Sequence, residues 1–174
     1  VKAFFYDEEA IHPPTIDYVR RVAQSDEVDL DWYCLPIQHR NACSNTQPFW
    51  HCWNPDEKDI WVRELPEEAI TEHPRFVFGQ TMQDFGREHY KNTNKIIIQG
   101  IRTEESIRRY RVVAMKKNEN YIAKAEKGVY FAYPIYDWSS DDVWKLVKLK
   151  DADYNRTYDI FNRTDQYGHL LKQR

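Results

Sequence analysis

The first 37 residues carry a pattern that few architectures accept. Val1–Tyr6 (VKAFFY) is a short apolar run, too short for a buried helix, that ends in three acids, Asp7, Glu8 and Glu9. After a turn at His12-Pro13-Pro14, apolar residues recur at Ile16, Val19, Val22 and Ala23, the spacing of a helix face that begins near Thr15. Asp29–Ile37 (DLDWYCLPI) then forms a second strand, ending at a proline. Strand, helix, strand in that order implies a parallel pair joined by a crossover helix, and so an α/β fold with helices on both faces of a mostly parallel sheet.

The rest of the chain extends this reading. Gln38–Glu64 is irregular and rich in Trp, His, Asn and Cys, and Leu65–Asp84 has weak helical features. Lys95–Gly100 (KIIIQG) reads as a buried strand parallel to the first two, and Tyr130–Ile135 as another strand-like run. Ser139–Lys148 is expected to be a helix, capped by Ser139 or Ser140, with acids in its first turn and with Val143 and Trp144 packed inward. The tail from Asp151 is polar and aromatic. No linker or repeat interrupts the 174 residues, so a single domain is expected.

Composition narrows the classes. Hydrophobic residues make up 41% of the chain, which places it among globular proteins. The 15% aromatic content suits base stacking as well as a large aromatic core, and the core is the preferred reading. A net charge of −3 gives no global case for nucleic acid. No apolar run approaches the ~20 residues of a membrane span, so no membrane partner is expected. Three cysteines, Cys34, Cys43 and Cys52, make no disulfide framework and suit a reducing, cytoplasmic setting. Together with His39 and His51 they fit no common zinc spacing, so no metal is assigned to them.

The main chemical candidate follows the KIIIQ strand, because ligands in open α/β sheets bind beyond the carboxyl ends of strands. There Gly100 would let backbone approach a ligand, and Arg102 would offer a planar fork to phosphate or sulfate. Glu105 would orient that arginine, and Ser106 would cap the next helix. The local alternative is a strand-to-helix turn carrying a surface ion pair. Arg102, Arg108, Arg109, Arg111, Lys116 and Lys117 form a basic cluster, read as a solvated helix face, with a phosphate-bearing partner such as nucleic acid as the weaker alternative.

Gly100-Ile101-Arg102-Thr103-Glu104-Glu105-Ser106, followed by Pro134-Ile135-Tyr136-Asp137-Trp138-Ser139-Ser140-Asp141-Asp142-Val143-Trp144, resembles the phosphoadenosine phosphosulfate reductase family of the PP-loop, or adenine-nucleotide α-hydrolase, superfamily. Tyr154-Asn155 with Tyr158-Asp159 is similar to that family's Y-N-x-x-Y-D segment. Phe4-Phe5-Tyr6-Asp7-Glu8-Glu9-Ala10 sits where the family has its second strand and an acidic loop. A narrower likeness, carried by Arg40-Asn41-Ala42-Cys43-Ser44, Gln47-Pro48-Phe49-Trp50, Trp53 and Trp61-Val62-Arg63, is to the immunoglobulin-binding regulator A proteins and their phage and mobile-element relatives.

The resemblance implies a Rossmann-like sheet that binds an adenine nucleotide, ATP or phosphoadenosine phosphosulfate, with Mg²⁺, for sulfur or adenylyl transfer. It implies that Asp7 and Glu9 line the nucleotide or Mg²⁺ region. Because each follows a strand's carboxyl end, Asp7, Arg102 and Glu105 are expected on the same edge of the sheet, around one cleft. The superfamily's first strand ends in S-G-G-x-D-S, whose amides cradle phosphate. The five glycines here include no adjacent pair, so that loop is not among these residues. The chain opens on Val1 at what corresponds to the second strand, and is expected to be a piece of something longer, with an upstream segment or a partner chain supplying the loop and its strand. Without that strand, VKAFFY and KIIIQ would be left with unpaired backbone groups at roughly 1–3 kcal/mol each. The reductases' nucleophilic cysteine lies near their carboxyl end. No cysteine here lies beyond Cys52, so the catalytic residue is unassigned. The alternative function is a non-catalytic regulatory or interaction module that keeps the fold.

Overall fold

The computed structural model describes residues 1–114 and 121–163. It is a mixed α/β protein whose described residues form two compact units: Val1–His89 with Asn155–Thr157, and those of Tyr90–Tyr154 with Tyr158–Arg163.

The first unit realises the strand–helix–strand pattern. β1 (Lys2–Tyr6) pairs in parallel with β2 (Asp29–Tyr33), in a register that sets Lys2 beside Asp29 and Tyr6 beside Tyr33. The crossover helix α1 (Pro13–Ala23) starts two residues earlier than its apolar spacing suggested. Proline is at home in the first helical turn, where an amide would have no partner anyway. Ile16 and Val19 are its buried positions. β2 stops at Tyr33, short of the expected Ile37. The Ile37 amide turns back to Leu35 O at 2.7 Å, and Pro36 has no amide with which to continue a ladder. Cys34, Leu35 and Ile37 are nonetheless fully buried, beside Trp32, Cys52, Trp53 and Phe85.

The stretch expected to be irregular contains a small hairpin, β3 (Gln38–Arg40) against β4 (Phe49–His51). Asn41 Oδ1 accepts the Cys43 amide at 3.0 Å and Ser44 Oγ accepts the Gln47 amide at 2.9 Å, which folds the connecting turn. Most of the weakly helical stretch is not helix. Pro66 and Pro74 interrupt it, and Ile70 instead bridges in parallel to Tyr33. Helix α2 runs only over Met82–Tyr90 and buries Phe85.

The second unit holds a three-stranded sheet in the order β5 (Lys95–Ile98), β7 (Val129–Ala132), β6 (Ile122–Glu126). β5 and β7 are parallel, whereas β6 and β7 form an antiparallel hairpin. Gly128 in its turn has φ +80°. Val129 and Ala123 are buried, but in β5 only Ile97 is. Ile96 is 65% exposed and Ile98 70%, so the strand expected to be buried shows one face outward. β7 is shorter than the apolar run that suggested it, because Pro134 follows and the Tyr136 amide folds back on Tyr133 O at 3.3 Å.

The one parallel sheet that was expected is thus described as small separate sheets, with parallel pairs in both units. Helices α3 (Ile107–Ala114), α4 (Ser140–Lys150) and α5 (Thr157–Arg163) complete the described elements. α4 begins with a capping box, in which Ser139 and Asp142 satisfy each other's amides. Trp144 on this helix is 37% exposed rather than packed inward, with its ring edge-on to Tyr154 at 5.2 Å and Tyr158 at 5.6 Å.

Candidate functional site

Within the second unit, the carboxyl end of β5 leads directly into the candidate residues. The Gln99 amide extends the pairing to Ala132 O at 2.9 Å, and the chain then leaves the sheet at Gly100. A Cβ there would meet only Ile135 Cδ1, at 3.7 Å, so the fold itself does not demand glycine. Ile101 anchors the segment by packing against Ala123 and Tyr133. The Thr103 amide donates to Tyr136 O at 2.7 Å, and Thr103–Glu105 makes one 3₁₀ turn.

This path leaves Arg102 largely covered, its side chain 12% exposed. Its Nε faces Glu105 Oε1 at 3.4 Å. Its Nη1 reaches Glu104 Oε2 at 3.2 Å, Ser140 Oγ at 3.3 Å and Trp138 O at 3.5 Å. Glu105, 16% exposed, also pairs with Arg109 one helical turn on. Ser106 Oγ accepts the Arg109 amide at 3.1 Å, so it caps α3 as expected from sequence. The arrangement brings the G-I-R-x-x-E-S turn against the D-W-S-S segment that starts α4. Arg108 and Arg111 are exposed on α3, and Lys116 and Lys117 lie outside the described residues.

Asp7 and Glu9 lie in the first unit. Asp7 has no exposed surface. Arg63 Nη2 pairs with both of its carboxylate oxygens, Trp32 Nε1 donates to Oδ2 at 2.7 Å, and the Glu9 amide donates to Oδ1 at 2.8 Å. Glu9 has left-handed backbone, φ 62°, an arrangement uncommon outside glycine and Asn/Asp. Its carboxylate accepts the Trp53 amide at 2.7 Å and the Val62 amide at 2.8 Å. Arg63 stacks 4.7 Å above the Trp53 ring, and Trp53 and Trp61 meet edge to face. Each of these four carboxylate oxygens already accepts a hydrogen bond. Among the described residues no group of three or more His, Cys, Asp or Glu side chains gathers as a metal set.

The sequence missed two features of these centres. Arg63 was visible only as part of a motif, 56 residues from Asp7, with nothing local to name its partner. Glu104 occupies an unspecified position within G-I-R-x-x-E-S, yet its carboxylate holds Arg102 and also accepts the Ser140 amide at 2.7 Å.

Cys34, Cys43 and Cys52 are free thiols. Burial raises Cys34 well above the ordinary thiol range, and pushes Cys52 up to about 12. Asn155 Nδ2 donates to Thr15 Oγ1 at 2.9 Å in the first unit, and Tyr154 OH donates to Asp159 Oδ1 at 3.1 Å in the second. Tyr154, Asn155 and Asp159 of the Y-N-x-x-Y-D segment are thus held by hydrogen bonds. No helix among the described residues is long and apolar enough to cross a membrane.

Comparison with known proteins agrees with the motifs. The chain is 34% identical to the uncharacterized protein YbdN of Escherichia coli (strain K12), across 90% of this chain and 42% of that protein. It thus spans about four-tenths of the length of the curated relative it matches. No solved structure matches it significantly. The phosphoadenosine phosphosulfate reductase domain matches residues 1–161, nearly the whole chain, and that family implies an adenine-nucleotide α-hydrolase fold. On the strength of this match and of the G-I-R-x-x-E-S turn seated against its D-W-S-S partner, the chain belongs to the phosphoadenosine phosphosulfate reductase domain family.

Proposed function

We propose that this chain is the adenine-nucleotide-binding part of a PP-loop-type domain that carries out sulfur or adenylyl transfer on ATP or phosphoadenosine phosphosulfate. The observation that carries the proposal is Arg102, a largely covered guanidinium at the carboxyl end of a parallel strand, braced through Nε by Glu105. A charge fixed this way stabilises negative charge that develops on a transferring phosphate or sulfate without reorganising as the reaction proceeds. Gly100, exposed and without steric need of its own, leaves room for a ligand against the backbone. Ser106 fixes the turn by capping α3. Asp7 and Glu9, on the loop after β1, would line the nucleotide or Mg²⁺ region, and Mg²⁺ would enter with the nucleotide's phosphates. The phosphate-gripping loop and first strand of a Rossmann-like sheet would come from an upstream segment or a partner chain. Among the described residues β1 is paired with β2 and β5 with β7. The free thiols suit a cytoplasmic setting.

Titration of the full-length protein with ATP and with phosphoadenosine phosphosulfate tests this. Saturable binding is expected, weakened at least about tenfold in Arg102→Gln at unchanged melting temperature. Absence of binding, or binding indifferent to that substitution, overturns it. A second reading, a regulatory module that binds nucleotide without turnover, is favoured by the hydrogen bonds that already hold Asp7 and Glu9 and by the likeness to immunoglobulin-binding regulator A proteins. Binding without release of pyrophosphate or sulfite would support that reading.

A further inference from the structure

We infer that Glu104 is a built-in competitor for the oxyanion position on Arg102, and that it sets how strongly a phosphate or sulfate group must bind to be held there. The inference rests on the assignment of Arg102 as the anion-binding residue. One carboxylate oxygen, Glu104 Oε2, sits where three donors converge: Arg102 Nη1 at 3.2 Å, the Ser140 amide at 2.7 Å and Ser140 Oγ at 3.4 Å. A guanidinium, a main-chain amide and a hydroxyl form the donor set that recognises an oxygen of phosphate or sulfate.

The two acids on Arg102 are not equivalent. Glu105 is 16% exposed and shared with Arg109, whereas Glu104 is 56% exposed. An exposed carboxylate regains water when it swings away, and exposed ion pairs are weak. Glu104 is therefore the acid an incoming oxyanion displaces, and Glu105 the one that stays to hold the guanidinium. Nothing in G-I-R-x-x-E-S requires an acid at this position, and the amide side chain of glutamine could keep the same shape without the charge.

The test compares full-length wild type with Glu104→Gln, Glu104→Ala, Glu105→Gln and Arg102→Gln by calorimetric titration with ATP, and by competition of inorganic sulfate against ATP. Both Glu104 variants should bind ATP about threefold or more tightly, and sulfate should compete better by a similar factor, because a competing charge is gone. Glu105→Gln should weaken binding. If Arg102→Gln loses binding while the Glu104 variants are unchanged or weaker, this inference fails and the assignment of Arg102 stands. If Arg102→Gln binds like wild type, the assignment itself fails. A purely structural Glu104 would give weaker binding and a lower melting temperature in both of its variants, which also overturns the inference.

Discussion

The Arg63 guanidinium grips both carboxylate oxygens of Asp7 from above the Trp53 ring, and so ties residues 56 apart in sequence into one buried charge pair. Such a pair adds little over an apolar substitute, but breaking it from one side strands a charge. Arg63→Met should therefore cost about 3 kcal/mol or more in urea unfolding. The double variant Asp7→Asn, Arg63→Met should cost less than the sum of the two single changes. Additive losses would mean that the pair is not coupled.

Gly100→Ala separates fold from ligand. The added Cβ makes only ordinary contact with Ile135, so stability should stay within about 0.5 kcal/mol. Nucleotide affinity should fall about tenfold if backbone at this point lies against the ligand. Unchanged affinity would remove Gly100 from the site.

Gly128→Ala should do the opposite. At φ +80° a side chain is strained, and its Cβ would clash with Asn94 Oδ1 and lie 3.0 Å from Thr93 O. A loss of about 1–3 kcal/mol by thermal or urea unfolding is expected.

How much of this was visible beforehand depended on whether the signal was local. β1, α1 and α4 could be read because apolar spacing and a Ser139 cap are written within a dozen residues. The hairpins could not: β6 (IAKAE) alternates small and charged residues with little apolar content, and β3–β4 depends on turn bonds from Asn41 and Ser44. In the candidate site, Arg102, Glu105 and Ser106 were legible because they follow a strand. Arg63, Glu104 and Ser140 were not, since what they do depends on partners that only the folded chain brings near.

The capping box of α4 links stability to pH. The hydrogen bond from Ser139 is the main cause that lowers Asp142 below its ordinary 3.8. A depressed carboxyl contributes stability that is complete above its unfolded value and is lost as pH falls through the lowered folded value. Ser139→Ala should cost about 1 kcal/mol near neutrality, and its urea midpoint should fall less than wild type's between pH 6 and pH 3. Parallel pH curves would show that the cap is not linked to the carboxyl.

Thiol labelling checks the cysteine environments. Cys43 is exposed, and Cys34 and Cys52 are buried with raised thiol values. Of these three cysteines, only Cys43 should react fast with a maleimide in native protein, and all three only in denaturant. Fast labelling at Cys52 would contradict its burial.

The parallel pairing of β5 with β7 also sets an order of events during folding. β6 reaches β7 across the two-residue turn at Lys127 and Gly128, a hairpin closure on the microsecond scale. β5 must close a far longer loop to reach the same strand, since Ile96 lies beside Tyr130. The hairpin is thus expected to close before β5 joins it, and the register in which β5 joins fixes where the chain leaves the sheet at Gly100. A fault in a distant turn can therefore shift the aim of Arg102 without touching any residue near it.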